Sequence, residues 1–426
     1  HTAKQIENLN KDLSSKNIVV TPSVNLVDLI WANQPPTPQK KVFIHHMKYS
    51  GESSSNKRSH IKKILKENKI DAILISSPEN LCWTFNLRGS DVPMTPIAFG
   101  YAIIDNKGNA KLFFHKNKLN GQVRKALAQD KTLSINDISE FLEQIKHLAG
   151  KKIWLDSQTA NVEVLRVAEA VHVSTHISTD PIYLMKAKKN AVELKGIQAA
   201  HLRDSTAIIK FIKWFMQTDP SKIDEWKAAK RIESERKKLD LFQEVSFPTI
   251  SATGPNAAEA HYQLTKKTAK PLSNGDLFLF DSGGQFLDGT TDITRVLAVG
   301  KPTEEMIHCY TLVLKGHIAI HMAKFPEGTT GQQLDPLARQ FLWSEGKDYD
   351  HGTGHGVGHY LSVHEGPQRI SKTSTIPLEV GMVLSNEPGF YKTGCFGIRI
   401  ENLMTVKLIK SAKETKQKRL FGFDIL

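Results

Sequence analysis

The chain has 426 residues, with 57 Lys and Arg against 44 Asp and Glu, a formal net charge of +13. At 40% hydrophobic, 24% charged and 8% aromatic residues it lies outside the disordered and collagen-like classes, and its length points to two or three domains of about 100 to 200 residues. No run approaches the roughly 20 apolar residues of a membrane span, and the opening HTAKQIENLNKDL has no apolar signal-peptide core. Three scattered cysteines, Cys82, Cys309 and Cys395, exclude a disulfide framework or a zinc ribbon and fit a reducing compartment.

Residue 1 is His and the chain stops at FGFDIL, an apolar run suited to the inside of a strand, so a fragment is expected. Residues 1–54 contain a strand-like apolar piece, NIVVTPSVNLVDLIW, and a Pro-rich connector, and read as the end of an earlier domain plus a linker. From 55 to 185 the periods of helix and strand alternate. A helix over 56–68 precedes the strand DAILISS, a helix near PENLCWTF and a hairpin turning at Asn106–Asn109. Two helical stretches, the strand KIWLD and another helix follow. This alternation predicts an α/β domain. PIYLMKAKKN marks its border, and a long amphipathic helix over 191–217 opens the last region, 186–426, where helices and hairpins mix. Thr303 before Glu304 and Glu305, and Thr330 with Gln333, are helix starts there.

Most of the positive charge sits in two segments, 57–69 and 407–419, each with six Lys/Arg and one Glu. The first reads as the solvated face of a helix whose apolar stripe is Ile61, Ile64 and Leu65. No aromatic-interleaved basic groove accompanies either segment, so nucleic acid is not an expected partner.

A weak repeat carries the chemistry. LFLFDSGGQFLDGTTDITRVL (277–297) and MVLSNEPGFYKTGCFGIRIENLMTV (382–406) are each strand, Gly-rich turn, strand, with acids on both arms: Asp281 and Asp292, then Glu387 and Glu401. Taken singly, each acid has a plainer reading as a turn or solvent-facing residue. The near-continuous apolar runs LFLFDS and MVLSNE favour buried strands instead, and hairpin arms bring opposite residues to roughly 5 Å. Buried acids that close repel one another, so a cation is required among them. HGTGHGVGHYLSVHEGP (351–367) adds His351, His355, His359 and His364; its glycines exclude a helical HExxH site and allow close backbone approach. Four carboxylates with imidazole and no thiolate suit Mn²⁺, Co²⁺ or catalytic Zn²⁺. Two divalent ions neutralise four carboxylates, and a pair about 3.5 to 4 Å apart can share a water and lower its pKa, which describes a hydrolase site.

These blocks, FDSGGQFLDGTTDITR, HGTGHGVGHYLSVHEGP, EPGFY and GIRIEN, together with NLVDLIW, WTFNLRGSDVP and SFPTISATGPNAAEAHY upstream, resemble the creatinase/methionine-aminopeptidase, or pita-bread, metallopeptidases, and most closely the cytosolic three-domain Xaa-Pro aminopeptidases. The resemblance implies an α/β (α+β) chain, a creatinase-like α/β domain at 55–185 followed by a pita-bread catalytic domain at 186–426 that lacks its last segment. It implies Asp281, Asp292, His355, Glu387 and Glu401 as ligands of two ions, Mn²⁺ first with Zn²⁺ or Co²⁺ as alternatives, and Asp292 and Glu401 bridging. His261 and His364 would position substrate and stabilise the tetrahedral intermediate, Glu387 would move protons, and Arg399 would orient the acids. His351 would line the proline-side pocket, with Phe390 and Tyr391 as further candidates; His359 departs from the pattern and is expected only to pack.

The activity so implied is removal of residue 1 from peptides with proline second, by a metal-bridging hydroxide, in a cytoplasmic enzyme that is homodimeric at full length and meets no membrane. A prolidase acting on Xaa-Pro dipeptides, a methionine aminopeptidase, and a non-catalytic peptide-binding module are the rivals. Asn86, Arg88 and Asp91 are expected to serve structure, and Cys395 to be packed.

Overall fold

The computed structural model describes residues 1–409 and 419–426; residues 410–418 of the second basic segment, 407–419, lie outside the described residues. The chain divides into two compact units, one of His1–Met47 and Glu52–Tyr183, the other of Lys48–Gly51 and Leu184–Leu426.

In the first unit a six-stranded mixed sheet is built from β1 (Ala72–Ile75), β2 (Tyr101–Asp105), β3 (Ala110–Phe114), β4 (Leu133–Asp137), β5 (Lys152–Leu155) and β6 (Ser174–Ile177), in the order β4-β3-β2-β1-β5-β6. β1 is buried on both faces, as its unbroken AILI demands. The hairpin β2–β3 turns where expected, whereas β4 and β6 were not foreseen: LSIND and STHI alternate too weakly to announce strands. Helix α1 (Ala3–Ser14) is fastened to the same unit, Ala3 N donating to Ala160 O, so residues 1–47 group with 52–183. The apolar piece expected as a strand near 18–31 instead holds a short helix, Leu26–Ile30, capped by Asn25.

Helix α2 (Ser54–Glu67) buries Ile61 and Leu65, as its stripe requires. Its basic residues are not all solvated. Lys57 donates to Trp83 O and Asn86 Oδ1 and lies over the Trp83 ring, and Arg58 ion-pairs with Asp130 and donates to Gly108 O. Both are buried because carbonyls and a carboxylate wait for them. Helix α3 (Pro78–Phe85) starts at the Ser77 cap with Pro78 in its first turn and ends at Asn86 in the left-handed region. Arg88 donates to Cys82 O, and Asp91 pairs with Lys118, so this trio serves the unit's own hydrogen bonding.

The second unit repeats one theme. Helices α4 (Ala191–Gln217) and α5 (Glu225–Arg236) bury Phe211, Phe215 and Ile232 against Phe278 and Phe280 of an antiparallel sheet, β7 (Ile250–Thr253), β8 (Leu277–Ser282) and β9 (Ile293–Ala298). Helices α6 (Glu304–His321) and α7 (Gly331–Trp343) have a counterpart core: Ile320, Leu334 and Ala338 pack on Leu384, Met404 and Phe421. Those residues belong to a four-stranded sheet of β12 (Val383–Asn386), β15 (Asn402–Ile409), β16 (Leu420–Ile425) and the short edge strand Phe325–Pro326. A small three-stranded sheet of Phe242–Val245, Gly284–Phe286 and Gly289–Thr290 and two short pairs complete the unit, the pairs being β10 (Gly354–His355) with β11 (Arg369–Ile370), and β13 (Gly389–Lys392) with β14 (Phe396–Arg399). The capping boxes Asn190/Glu193 and Thr330/Gln333 set the starts of α4 and α7 where the sequence places them. Among the described residues no helix is long and apolar enough to cross a membrane.

Candidate active site

The first hairpin is β8–β9, with Ser282 opposite Ile293 and Asp281 opposite Thr294. Asp292 immediately precedes β9, so the two acids stand at the same end of one ladder, beside the connection between its strands. The arms are very close there: a Cβ on Gly283 would lie 1.9 Å from Thr291 O, which only glycine permits. The second hairpin is β12–β15, whose last pair is Asn386 with Asn402. Glu387 and Glu401 are the next residues beyond that pair, and β13–β14 is inserted between them, with Cys395 exposed at its turn rather than packed.

Cross-links join the hairpins. Glu401 N donates to Thr294 O at 3.2 Å, Thr294 Oγ1 donates to Glu401 Oε2 at 2.8 Å, and Arg295 donates to Glu401 O at 2.6 Å. His355 arrives on β10. Gly354 lets that strand lie against β12, since a Cβ there would be 2.0 Å from Ser385 O. Ser385 Oγ accepts from His355 N and donates to Glu387 Oε1 at 3.0 Å.

Four carboxylates thus meet one imidazole. His355 donates Nδ1–H to Gly356 O at 2.9 Å, which leaves Nε2 as a bare lone pair 3.6 Å from Asp292 Oδ2 and 3.4 Å from Glu387 Oε1. Ligand atoms of Asp292, His355 and Glu401 lie within 4.8 Å of one another. Asp281 Oδ1 and Asp292 Oδ1 are buried without a hydrogen-bond partner. Burial raises the pKa of Asp292, Glu401 and Glu387, the first two helped by neighbouring carboxylates and Glu387 reaching about 7 even though Arg399 opposes the shift. Orphaned buried oxygens and crowded acids are what a divalent ion would satisfy, and the oxygen-rich donor set fits one.

The surrounding cleft has a volume of about 770 Å³, and its walls include all five of these residues with His261, His351, His364 and Arg399. Arg399 is buried and donates twice to Asp281 Oδ2, at 2.7 and 3.2 Å, so it orients one acid rather than all four. It also donates to Ala260 O beside His261, and to Tyr391 Oη at 2.6 Å. The Tyr391 hydroxyl in turn reaches His351 Nε2 at 2.8 Å, while His351 Nδ1–H donates to Gly352 O. Tyr391 therefore stands behind His351 rather than on the cleft wall, and Phe390 packs into the core. Burial lowers His351 and His364 to about 4, so both are neutral at pH 7; the His364 ring meets His355 edge-on at 4.3 Å. His359 is buried, as expected of a packing residue.

Sequence reasoning missed the supports. Arg339 on α7 stacks on Tyr349 and donates to Asp335, Asp348, Tyr349 O and His351 O, holding the loop that carries His351. Glu225 on α5 accepts from Thr253 N, Asn256 Nδ2, Tyr262 Oη and Lys270 N, tying down the loop that carries His261. Asp204 and Arg236 lie behind the first hairpin. A charged residue on an amphipathic helix gives no sign of a distant partner; Thr294, inside TTDITR, was the one within reach of the motif.

A model of metallopeptidase family M24 matches residues 195–407, and one of the creatinase/prolidase N-terminal domain matches 33–193. The crystal structure of X-prolyl aminopeptidase from Caenorhabditis elegans, described as a cytosolic enzyme with a di-nuclear active site, superposes with a TM-score of 0.92 at 33% identity, covering 100% of this chain and 70% of that one. The chain belongs to metallopeptidase family M24. Another similar M24 protein is a probable Xaa-Pro aminopeptidase P from Aspergillus fumigatus, 42% identical over 94% of this chain. The chain spans 63% of that relative's length. The prolidase of Pyrococcus horikoshii shares the M24 fold at 26% identity and a TM-score of 0.67, covering 87% of this chain and 97% of its own.

Proposed function

We propose that this chain carries the catalytic site of a dinuclear-metal Xaa-Pro aminopeptidase, which removes the N-terminal residue from peptides with proline second. The observation that carries the reading is the convergence of Asp281, Asp292, His355, Glu387 and Glu401 in one cleft, with two buried carboxylate oxygens lacking any partner. Arg399 is paired with Asp281, so the remaining negative charge exceeds what one divalent ion balances. The di-nuclear centre of the C. elegans relative supports two. Mn²⁺ is the first choice for a carboxylate-dominated set, with Zn²⁺ or Co²⁺ as alternatives.

The ions, when bound, supply a water activated near neutral pH and polarise the scissile carbonyl. The chain's residues do the rest. Glu387, held by the Ser385 hydroxyl, takes a proton and returns it to the departing proline nitrogen. His261 and His364 face the cleft as donors for the developing oxyanion. His351, with both ring nitrogens engaged, offers its ring rather than a hydrogen bond to the proline side. The similarity to relatives also supports a cytosolic setting, and the family resemblance a homodimer for a longer chain, which light scattering checks.

The test is hydrolysis, with added Mn²⁺, of Xaa-Pro-Xaa peptides, Xaa-Pro dipeptides and Met-Ala-Xaa peptides, with Glu387→Ala as control. Turnover of the first class, lost in the variant, is expected. Turnover of dipeptides alone would favour the prolidase reading that the P. horikoshii fold raises, and activity surviving without Glu387 would end both.

A further inference from the structure

Asp281 and Asp292 are buried on arms that touch, and their separation depends on what fixes those arms. Behind the hairpin, away from the cleft-lining residues, a buried ion pair joins the two helices of this half: Arg236 of α5 donates to Asp204 of α4 through Nε at 2.6 Å and a terminal nitrogen at 3.0 Å. The same pair grips both arms. Arg236 donates to Ser282 Oγ and, at 3.1 Å, to Ser282 O, the residue after Asp281. Asp204 accepts from Thr291 Oγ1 at 2.8 Å, the residue before Asp292. Thr291 Oγ1 also accepts from Gly284 N at 2.9 Å, and Ser246 Oγ donates to Thr291 O at 2.9 Å. Asp204, Arg236, Ser282 and Thr291 are all at most 3% exposed. Each acid is therefore one residue from a point anchored to a single ion pair.

We propose that Asp204 and Arg236 are positioning residues that fix the separation of Asp281 and Asp292 and so set the affinity of the site for its divalent ions. The inference rests on the reading of that site as a metal centre. Partners hydrogen-bonded directly to a ligand commonly change metal affinity about 10- to 100-fold; Asp204 and Arg236 act one residue further along the chain, through Thr291 and Ser282, but on both candidate ligands at once. Lysine in place of Arg236 keeps the charge but loses the planar fork that reaches Asp204 and Ser282 together.

The experiment is calorimetric titration of Mn²⁺ into the chelator-stripped chain and into Arg236→Lys, Asp204→Asn and Thr291→Val, each checked for folding by circular dichroism. Arg58→Lys is the control, since Arg58 is a buried, ion-paired arginine of the first unit. The expected result is Mn²⁺ binding weakened about 10- to 100-fold in Arg236→Lys and Asp204→Asn, and by roughly 10-fold in Thr291→Val, with native affinity in the control. Folded variants that melt earlier but bind Mn²⁺ with native affinity would overturn the proposal, because a purely structural pair behaves like the control. Should the two charge variants not fold, native affinity in Thr291→Val overturns it alone. A native chain that binds no Mn²⁺ overturns the metal-site reading and this inference together, whereas native binding unchanged by the variants overturns this inference only.

Discussion

Replacing Glu365 by glutamine removes a carboxylate that two ammonium groups share. Glu365 is 3% exposed, with Lys186 Nζ 3.1 Å from Oε2 and Lys189 Nζ 2.8 Å from Oε1. Burial alone would raise its pKa; the attraction of both lysines outweighs this and holds it below the ordinary value. An amide of the same shape cannot balance the two buried cations, and removing one member of a buried pair costs about 3 to 5 kcal/mol. For a unit of about 250 residues that is a fall in melting temperature of roughly 6 to 20 °C. Calorimetry at fixed Mn²⁺ reads it, because bound ion shifts stability by mass action. Being buried, the deficit should persist at high salt. The pH dependence has a definite sign. A depressed carboxylate pKa stabilises the fold above the group's unfolded value, and that contribution is lost as pH falls through the folded value, so native and variant converge in acid. A loss below about 1 kcal/mol, or one abolished by salt, would refute the reasoning, since it would mean that the lysines behave as exposed surface charges.

Acid should also destabilise the second unit through His317 and His321, whose pKa values burial lowers to about 3 and about 4. Stability from a depressed histidine is complete above its ordinary value and declines as pH falls, so His317 alone should cost about 2 kcal/mol between pH 6.5 and 5; a urea midpoint that falls less in His317→Leu checks it. Arg339→Met frees the loop bearing His351, and should raise KM for peptide substrates more than it lowers kcat while costing about 3 to 5 kcal/mol of stability, measured by steady-state kinetics and urea unfolding. Mn²⁺ at about 100 times its Kd should stabilise the chain by roughly 2.7 kcal/mol, and Asp292→Asn should abolish most of that increment in a thermal melt.

How much of this was legible depended on whether the signal was local. Caps are local, so Thr303 before Glu304 and Glu305, and Thr330 with Gln333, fixed helix starts that the structure reproduces. The paired acids were legible because Asp281 and Glu387 end the near-continuous apolar runs LFLFDS and MVLSNE, and Asp292 and Glu401 stand on the returning arms. Edge strands such as Ser174–Ile177 were not, since a polar strand on a sheet's rim carries no period that distinguishes it from a loop. Nor could Lys57 and Arg58 be read as buried, or Arg236 as the partner of Asp204 32 residues away, because charge on a helix means solvent unless the other partner is known. Tyr391 illustrates the same limit at the site itself: its type suited a substrate pocket, but a hydroxyl between Arg399 and His351 assigned it to the wall's backing.

The join between the hairpins bears on how the protein folds. Thr294 and Glu401 meet across 107 residues of sequence, and each half has its own helix pair and core. Contacts of such separation must overcome a large loop-closure entropy, which places them late in folding. The cleft's five donors come from both halves and so come together only once these have docked. Mn²⁺ uptake during refolding should then lag behind the recovery of helix signal, making the ion a reporter of the last step of assembly.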